Sequence, residues 1–255
     1  MGNTSGRSVP VSWHRRLVTD VMSASRHVPA VTAERKMSLA PLMAAREASA
    51  LRPGWCTLFT RAFGLVSRDY PQLRQSYMKF PWPRLYEHPH SIVAMVFERR
   101  LAAEDIVLYC VIRGPENRSL EELEELVRHH KEAPLEELRT YQRAWRVSHI
   151  PWPARPVFWW AALNVLGRRR CHNFGTFGIS SIGSQGAGLL QILPILTSTL
   201  HYGLFDAQGR LDVRLTWDHR VMDGATVARV LVDLESVLTG EVARELAASS
   251  VRKAA

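Results

Sequence analysis

Thr216-Trp-Asp-His-Arg-Val-Met-Asp-Gly224 lies where one sequence pattern gives way to another. Before it, Leu211-Asp-Val-Arg-Leu-Thr-Trp217 alternates apolar and polar residues, the period of a half-buried strand. After it, Val227, Val230, Leu231, Leu234, Val237 and Leu238 recur at helical spacing, with Asp233 and Glu235 outside. The stretch is therefore a turn from strand into helix, and it carries a histidine. Imidazole is the side chain most easily poised as a base near neutral pH, and Asp223 with Gly224 permits a tight turn that fixes the His219 loop. The spacing of His219 and Asp223 alone fits a structural histidine as well as a catalytic one.

Working outward, Asp206-Ala-Gln-Gly209 is a turn of αL-tolerant residues, which makes a hairpin of the strand just read and an apolar stretch over 196–205. Gly178-Ile-Ser-Ser-Ile182 reads as another strand. Ser91-Ile-Val-Ala-Met-Val-Phe97 and Asp105-Ile-Val-Leu-Tyr-Cys-Val-Ile112 are apolar and β-branched, as buried strands are. Ser119-Leu-Glu-Glu122 fits a capping box opening a helix to about His130. Helical spacing covers 13–25, 39–51 and 57–70, the last closed by Pro71. Over 143–170 the composition shifts to Trp, Pro and Arg, which predicts an inserted lid, an aromatic helix packed on the body or on another subunit, or an interfacial helix on lipid through 157–170. Residues 1–10 and 246–255 read as flexible arms around a domain over 11–245.

The chain has 255 residues, 46% hydrophobic and 22% charged, an ordinary globular composition that excludes collagen-like, coiled-coil and wholly disordered readings. Its formal net charge of +9 favours an anionic partner. Only Lys36, Lys79, Lys131 and Lys253 are lysines, so 29 of the 33 cations are Arg, through either phosphate recognition or codon bias. Three scattered cysteines, Cys56, Cys110 and Cys171, offer no disulfide framework and fit a reducing compartment. The first residues lack the apolar core of a secretory signal, and the run over 157–166 is about half the length a spanning helix needs. A cytoplasmic location, with or without membrane association, is the expectation. Glu87-His-Pro-His90 and His129-His130 complete no metal pattern, Gly183, Gly186 and Gly188 are in the wrong order for a dinucleotide fingerprint, and no nucleic-acid module is present, so neither metal nor nucleic acid is expected.

Asp218-His-Arg-Val-Met-Asp-Gly-Ala225 resembles the signature of the catalytic domain of 2-oxo acid dehydrogenase acyltransferases, the dihydrolipoamide acyltransferases, relatives of chloramphenicol acetyltransferase. Phe177-Gly-Ile-Ser-Ser-Ile-Gly183 is similar to that family's serine strand and lies upstream of the histidine, in the family's order. Weaker likenesses at 14–22, 58–71 and 121–131 extend over most of the chain. The resemblance implies an α/β, chloramphenicol acetyltransferase-like CoA-dependent acyltransferase fold, a mixed central sheet flanked by helices that we expect on one side. It implies a homotrimer or larger trimer-based assembly with the site between subunits, and acyl-CoA as co-substrate. His219 is then the general base on a thiol, hydroxyl or amine acceptor, small or carrier-bound. Ser180 stabilises the oxyanion, and Asp223 is held in an ion pair by Arg15 or Arg16.

No lipoyl domain is read in these residues and no Lys follows an Asp, so the expectation is that the protein carries no lipoyl group of its own. Leu189-Leu-Gln-Ile-Leu-Pro-Ile-Leu196 replaces the family's Asn-Pro-Pro stretch, and 143–170 is longer than the family's connection. These departures point to a bulky or lipid-like acceptor rather than dihydrolipoamide. Two alternatives stand beside the enzyme: a non-catalytic trimeric scaffold or membrane-surface adaptor, and an accessory component of an oxo-acid dehydrogenase assembly.

Overall fold

The alternating stretches become a six-stranded sheet. The computed structural model describes residues 6–101, 104–183, 186–190 and 195–252. In chain order the elements are α1 (Trp13–Ser25), β1 (Ala30–Ser38), α2 (Ala40–Ala48), α3 (Trp55–Asp69), β2 (Gln75–Met78), β3 (Arg84–Glu87), β4 (Ile92–Leu101) and β5 (Glu104–Arg113). There follow α4 (Leu120–Glu132), α5 (Arg139–Ser148), α6 (Arg155–Asn164), α7 (Gly167–Phe174), β6 (Phe177–Ser180), β7 (Ser198–Tyr202), β8 (Arg210–Asp218), α8 (Gly224–Val237) and α9 (Ala243–Arg252). The main sheet runs β1-β8-β7-β6-β4-β5, with β7, β6 and β4 parallel to one another and the other pairs antiparallel; β2 and β3 form a separate hairpin.

Period-two alternation sends one set of side chains to each face. Val93, Met95, Phe177, Ile179, Leu200, Val213, Leu215 and Trp217 point to the main core. There α3 and α8 cover them: the Phe63 ring lies 4.6 Å from Phe177 and Phe59 stacks on Tyr202 at 4.4 Å. The intervening residues Ala94, Val96, Gly178, Ser180 and Thr199 face the other way. That second face is covered too, which corrects the expectation of helices on one side. Ala94 and Leu196 pack with Trp159, Leu163 and Phe174 from α6 and α7, and Leu17 and Val21 of α1 join them. The apolar stripe of α1 needed such a partner, since an amphipathic helix is stabilised by burying that stripe.

The Trp, Pro and Arg-rich stretch over 143–170 is thus mostly α5 and α6, packed on the body through Trp159 and Leu163, while Val157, Trp160 and Leu166 remain exposed. No helix among the described residues is long and apolar enough to cross a membrane. The Ser119 capping box forms as expected, with the Ser119 hydroxyl accepting from the Glu122 N–H and the Glu122 carboxylate from the Ser119 N–H.

β1, the β2–β3 hairpin and α9 depart from the expectation. β1 is an edge strand whose Glu34, Arg35 and Lys36 hide its character, yet it pairs with β8 from Ala30↔Asp218 to Ser38↔Arg210. The β2–β3 hairpin is too short to show a period. The stretch expected to be flexible from 246 is helical to Arg252, because Leu246 is buried in the main core and Glu245 pairs with Arg61 at 3.0 Å. The segment that replaces the Asn-Pro-Pro stretch falls in part, at 191–194, outside the described residues.

Candidate active site

β8 ends in Asp218, and the residues after it form a clamp. The Asp218 carboxylate is buried and accepts two bonds from the Arg220 guanidinium, Nε at 2.8 Å and Nη2 at 2.7 Å, as well as the Arg220 N–H at 3.0 Å. Arg220 also lies over the Tyr77 ring, 4.3 Å from its centre, a cation–π contact that holds the guanidinium flat. The Trp217 indole N–H donates to the Met222 carbonyl at 2.9 Å, and the His219 N–H donates to the Pro29 carbonyl at 3.0 Å. With the backbone fixed at both ends, the His219 ring projects half-exposed from the tip, and its Nδ1 stands 3.8 Å from Asp223 Oδ1. That separation is beyond a hydrogen bond, so within the chain the carboxylate lies near the ring without bonding to it.

Asp223 is the N-cap residue of α8 and is largely exposed. Its ion pair with Arg15 or Arg16 is not formed within the chain: both arginines are exposed on α1, and among the described residues neither has a carboxylate within ion-pair distance. Arg16 instead borders a cavity of about 780 Å³ that it shares with Lys79, Arg155 and Arg220. The stabilising pair of the histidine loop is Asp218–Arg220, which no local sequence pattern marks.

Ser180 closes β6 and faces a second, larger cavity of about 1030 Å³ between the sheet and α1, α5 and α6. Behind it stands His201 of β7, 1% exposed. The Leu189 N–H donates to His201 Nε2 at 2.8 Å, so the ring proton sits on Nδ1 and donates to the Ser180 carbonyl at 2.7 Å. His201 therefore ties the end of the serine strand to the loop at 186–190. No sequence signal marked it, since an isolated histidine in a strand has no period. The cysteines take no part: burial pushes the Cys110 thiol up to about 12 and raises that of Cys171, while Cys56 Sγ turns in against Met95 Sδ at 3.3 Å.

Burial lowers the pKa of His201, with the Arg214 charge acting in the same direction, and burial likewise lowers His88 and His172. A histidine whose folded pKa lies below its unfolded value of about 6.5 binds fewer protons in the native state, so its stabilisation is lost as pH falls below that value. We expect the urea midpoint to rise with pH between about pH 5 and 7, and His201→Gln to flatten part of that slope. A midpoint flat across this range would contradict the assignment.

In one chain the serine and the histidine do not meet. Ser180 pairs with His201, and His201 with Arg214. From Arg214 to Asp218 is about 14 Å along β8, and β8 lies two strands, about 10 Å, from β6, which puts Ser180 on the order of 17 Å from Asp218, the residue before His219.

No protein-family model and no curated protein sequence matches the chain. Solved structures do. A probable dihydrolipoamide acetyltransferase from Listeria monocytogenes superposes with a TM-score of 0.65 at 16% identity, over 93% of this chain and 95% of that one. The cubic core of a pyruvate dehydrogenase multienzyme complex gives 0.64 at 18%, over 94% and 93%. The chain has the fold of the dihydrolipoamide acetyltransferase cores. The dihydrolipoamide acetyltransferase of Azotobacter vinelandii agrees, with a TM-score of 0.66 at 19% identity over 94% of this chain and 93% of that one. That structure concerns the role of a serine, a histidine and an asparagine in its enzyme's catalytic mechanism, the last two four residues apart. The acetyltransferase-core fold is the one that the serine strand and the histidine loop led us to expect.

Proposed function

We propose that the protein is a CoA-dependent acyltransferase whose active site is completed between subunits of a trimer. The observation that carries this reading is the placement of Ser180 and His219 at opposite ends of the sheet in an acetyltransferase-core fold. Each projects from a strand end, and the two are too far apart to act together within one chain. A cube has three-fold axes, so the cubic core among the similar structures supports a trimer as the unit in which they meet. The spacing of His219 and Asp223 matches that of the histidine and asparagine in the Azotobacter enzyme.

In this mechanism His219 Nε2 takes the proton from the acceptor thiol or hydroxyl as its sulfur or oxygen attacks the thioester carbon of acyl-CoA. The tetrahedral oxyanion accepts a hydrogen bond from the Ser180 hydroxyl. Collapse expels the CoA thiolate, which receives from His219 the proton that the acceptor gave up. A positioned base contributes about 10² to 10⁴ in rate. The cations Arg16, Lys79 and Arg220 beside the histidine loop offer a place for the CoA phosphates, in keeping with the preference of Arg for such groups. The scaffold alternative leaves Ser180 and the cavity it faces without a role.

The test is CoA release from acyl-CoAs of increasing length, with thiol, alcohol and amine acceptors. We expect acceptor-dependent release, reduced about 10² to 10³-fold in Ser180→Ala with the fold retained. No release with any donor and acceptor, and no thermal shift on adding CoA, would overturn the reading.

A further inference from the structure

The cavity that Ser180 faces is far larger than an acetyl group requires. At about 1030 Å³ it stands at the upper end of the range for sites that enclose a whole drug-sized ligand. Its walls are apolar: Leu17 and Val21 from α1, Val96 from β4, and Phe158 and Ala162 from α6. Two features depart from that. The indole N–H of Trp159, a residue 5% exposed that borders both this cavity and the smaller one, is buried and has no hydrogen-bond partner among the described residues. A buried donor left unpaired is costly, and an acceptor atom on a ligand would satisfy it.

The second feature is charge. Arg143, Arg146 and Arg169 line the same cavity, and among the described residues none of them has a carboxylate within ion-pair distance. Arg113 stands nearby, its guanidinium donating to His172 Nε2 at 2.9 Å, and adds to the cationic side. The pKa of Arg113 is lowered by burial and then by Arg143 and Arg139, as expected where positive charges meet no acid. Val96 pairs with Tyr109, and Arg143 lies beside the Tyr109 hydroxyl. Ser180 is one step beyond the Met95↔Ile179 pair, so it is level with Val96 and two strands, about 10 Å, from Tyr109.

We propose that this cavity receives an amphipathic acid, its apolar body between the sheet and α6, its anionic group on Arg143, Arg146 and Arg169, and its other end at Ser180. As an assignment of the acyl acceptor, an apolar thiol or hydroxyl acid, this rests on the acyltransfer reading. Binding of the amphipath itself does not. The arginines distinguish the occupant from a neutral lipid or an amine, and the apolar walls distinguish it from a small polar anion.

The test is titration of the full chain with octanoate, decanoate and dodecanoate, and with the alcohols and amines of the same lengths, read by tryptophan fluorescence and calorimetry. Each added methylene should tighten binding about four-fold, and the acid should bind at least about ten-fold more tightly than the amine. The combined Arg143→Gln, Arg146→Gln and Arg169→Gln variant should weaken the acid and leave the alcohol unchanged. Ala162→Phe, which fills the cavity, should weaken both, with an unchanged thermal midpoint in each variant as the control for folding. Equal binding of acid and amine, no dependence on chain length, or binding indifferent to Ala162→Phe would overturn the proposal. Binding confined to the monomer would also overturn it, since a second copy of the chain would then be the natural occupant. His219-dependent CoA release with small thiols but no amphipath binding would remove this inference and leave the acyltransferase. Amphipath binding without release from any acyl-CoA would do the reverse.

Discussion

His219→Ala should lower acceptor-dependent CoA release by about 10² to 10⁴-fold while leaving the thermal midpoint within a degree or two. The two halves of this expectation have separate physical origins. The ring is half-exposed, and its side chain is not among those that hold the loop, since the clamp uses the backbone N–H of residue 219. Removing the ring therefore takes away the proposed proton acceptor and little else. The residual rate should depend on acceptor acidity: a thiol ionises enough near neutral pH to react without help, whereas an alcohol does not. Release that is unchanged in His219→Ala, measured with an alcohol acceptor, would remove the histidine from the chemistry.

Arg220→Ala should be the most damaging substitution near the site for the fold itself. It leaves the Asp218 carboxylate, 1% exposed, without the guanidinium that gives it two of its bonds. Breaking a buried pair by deleting one partner costs about 3 to 5 kcal/mol, because the remaining charge is left desolvated and uncompensated. The same substitution removes the contact with Tyr77 that ties the loop to β2. Chemical denaturation should show this loss. The paired change Asp218→Asn with Arg220→Ala should recover part of it, since no charge then stays buried alone. A loss below about 1 kcal/mol would put the pair among surface ion pairs and undo the account of how His219 is held.

The difference between what these two residues offer a sequence reading is physical. His219 is legible because it falls where a two-residue period becomes a 3.6-residue period, with Asp-Gly behind it. Asp218 and Arg220 sit beside it, yet nothing in their order says that one is buried and the other folds back onto it. Burial of a charge is a tertiary fact. His201 escapes a sequence reading for a related reason: its partners, Ser180 and Leu189, are brought to it by a parallel crossover. Strands β4, β5 and β8 and the capping box at Ser119 carry their signals locally and are legible. Edge strand β1 does not, since only its pairing with β8 makes it a strand. The second helical layer is hidden because the sheet residues that face it, such as Gly178, Ser180 and Thr199, are small or polar and resemble a solvated face.

The central claim is that Ser180 of one subunit works with His219 of another. Mixing tests it most directly. His219→Ala and Ser180→Ala, each at least about 100-fold slower alone, are unfolded together, refolded as a mixture and assayed for CoA release. In a randomly mixed trimer with sites between subunits, about one quarter of the sites pair an intact His219 with an intact Ser180, so about one quarter of the wild-type rate should return. If both residues act within one chain, no mixed assembly holds an intact pair, and a mixture as inactive as its two components would contradict the account.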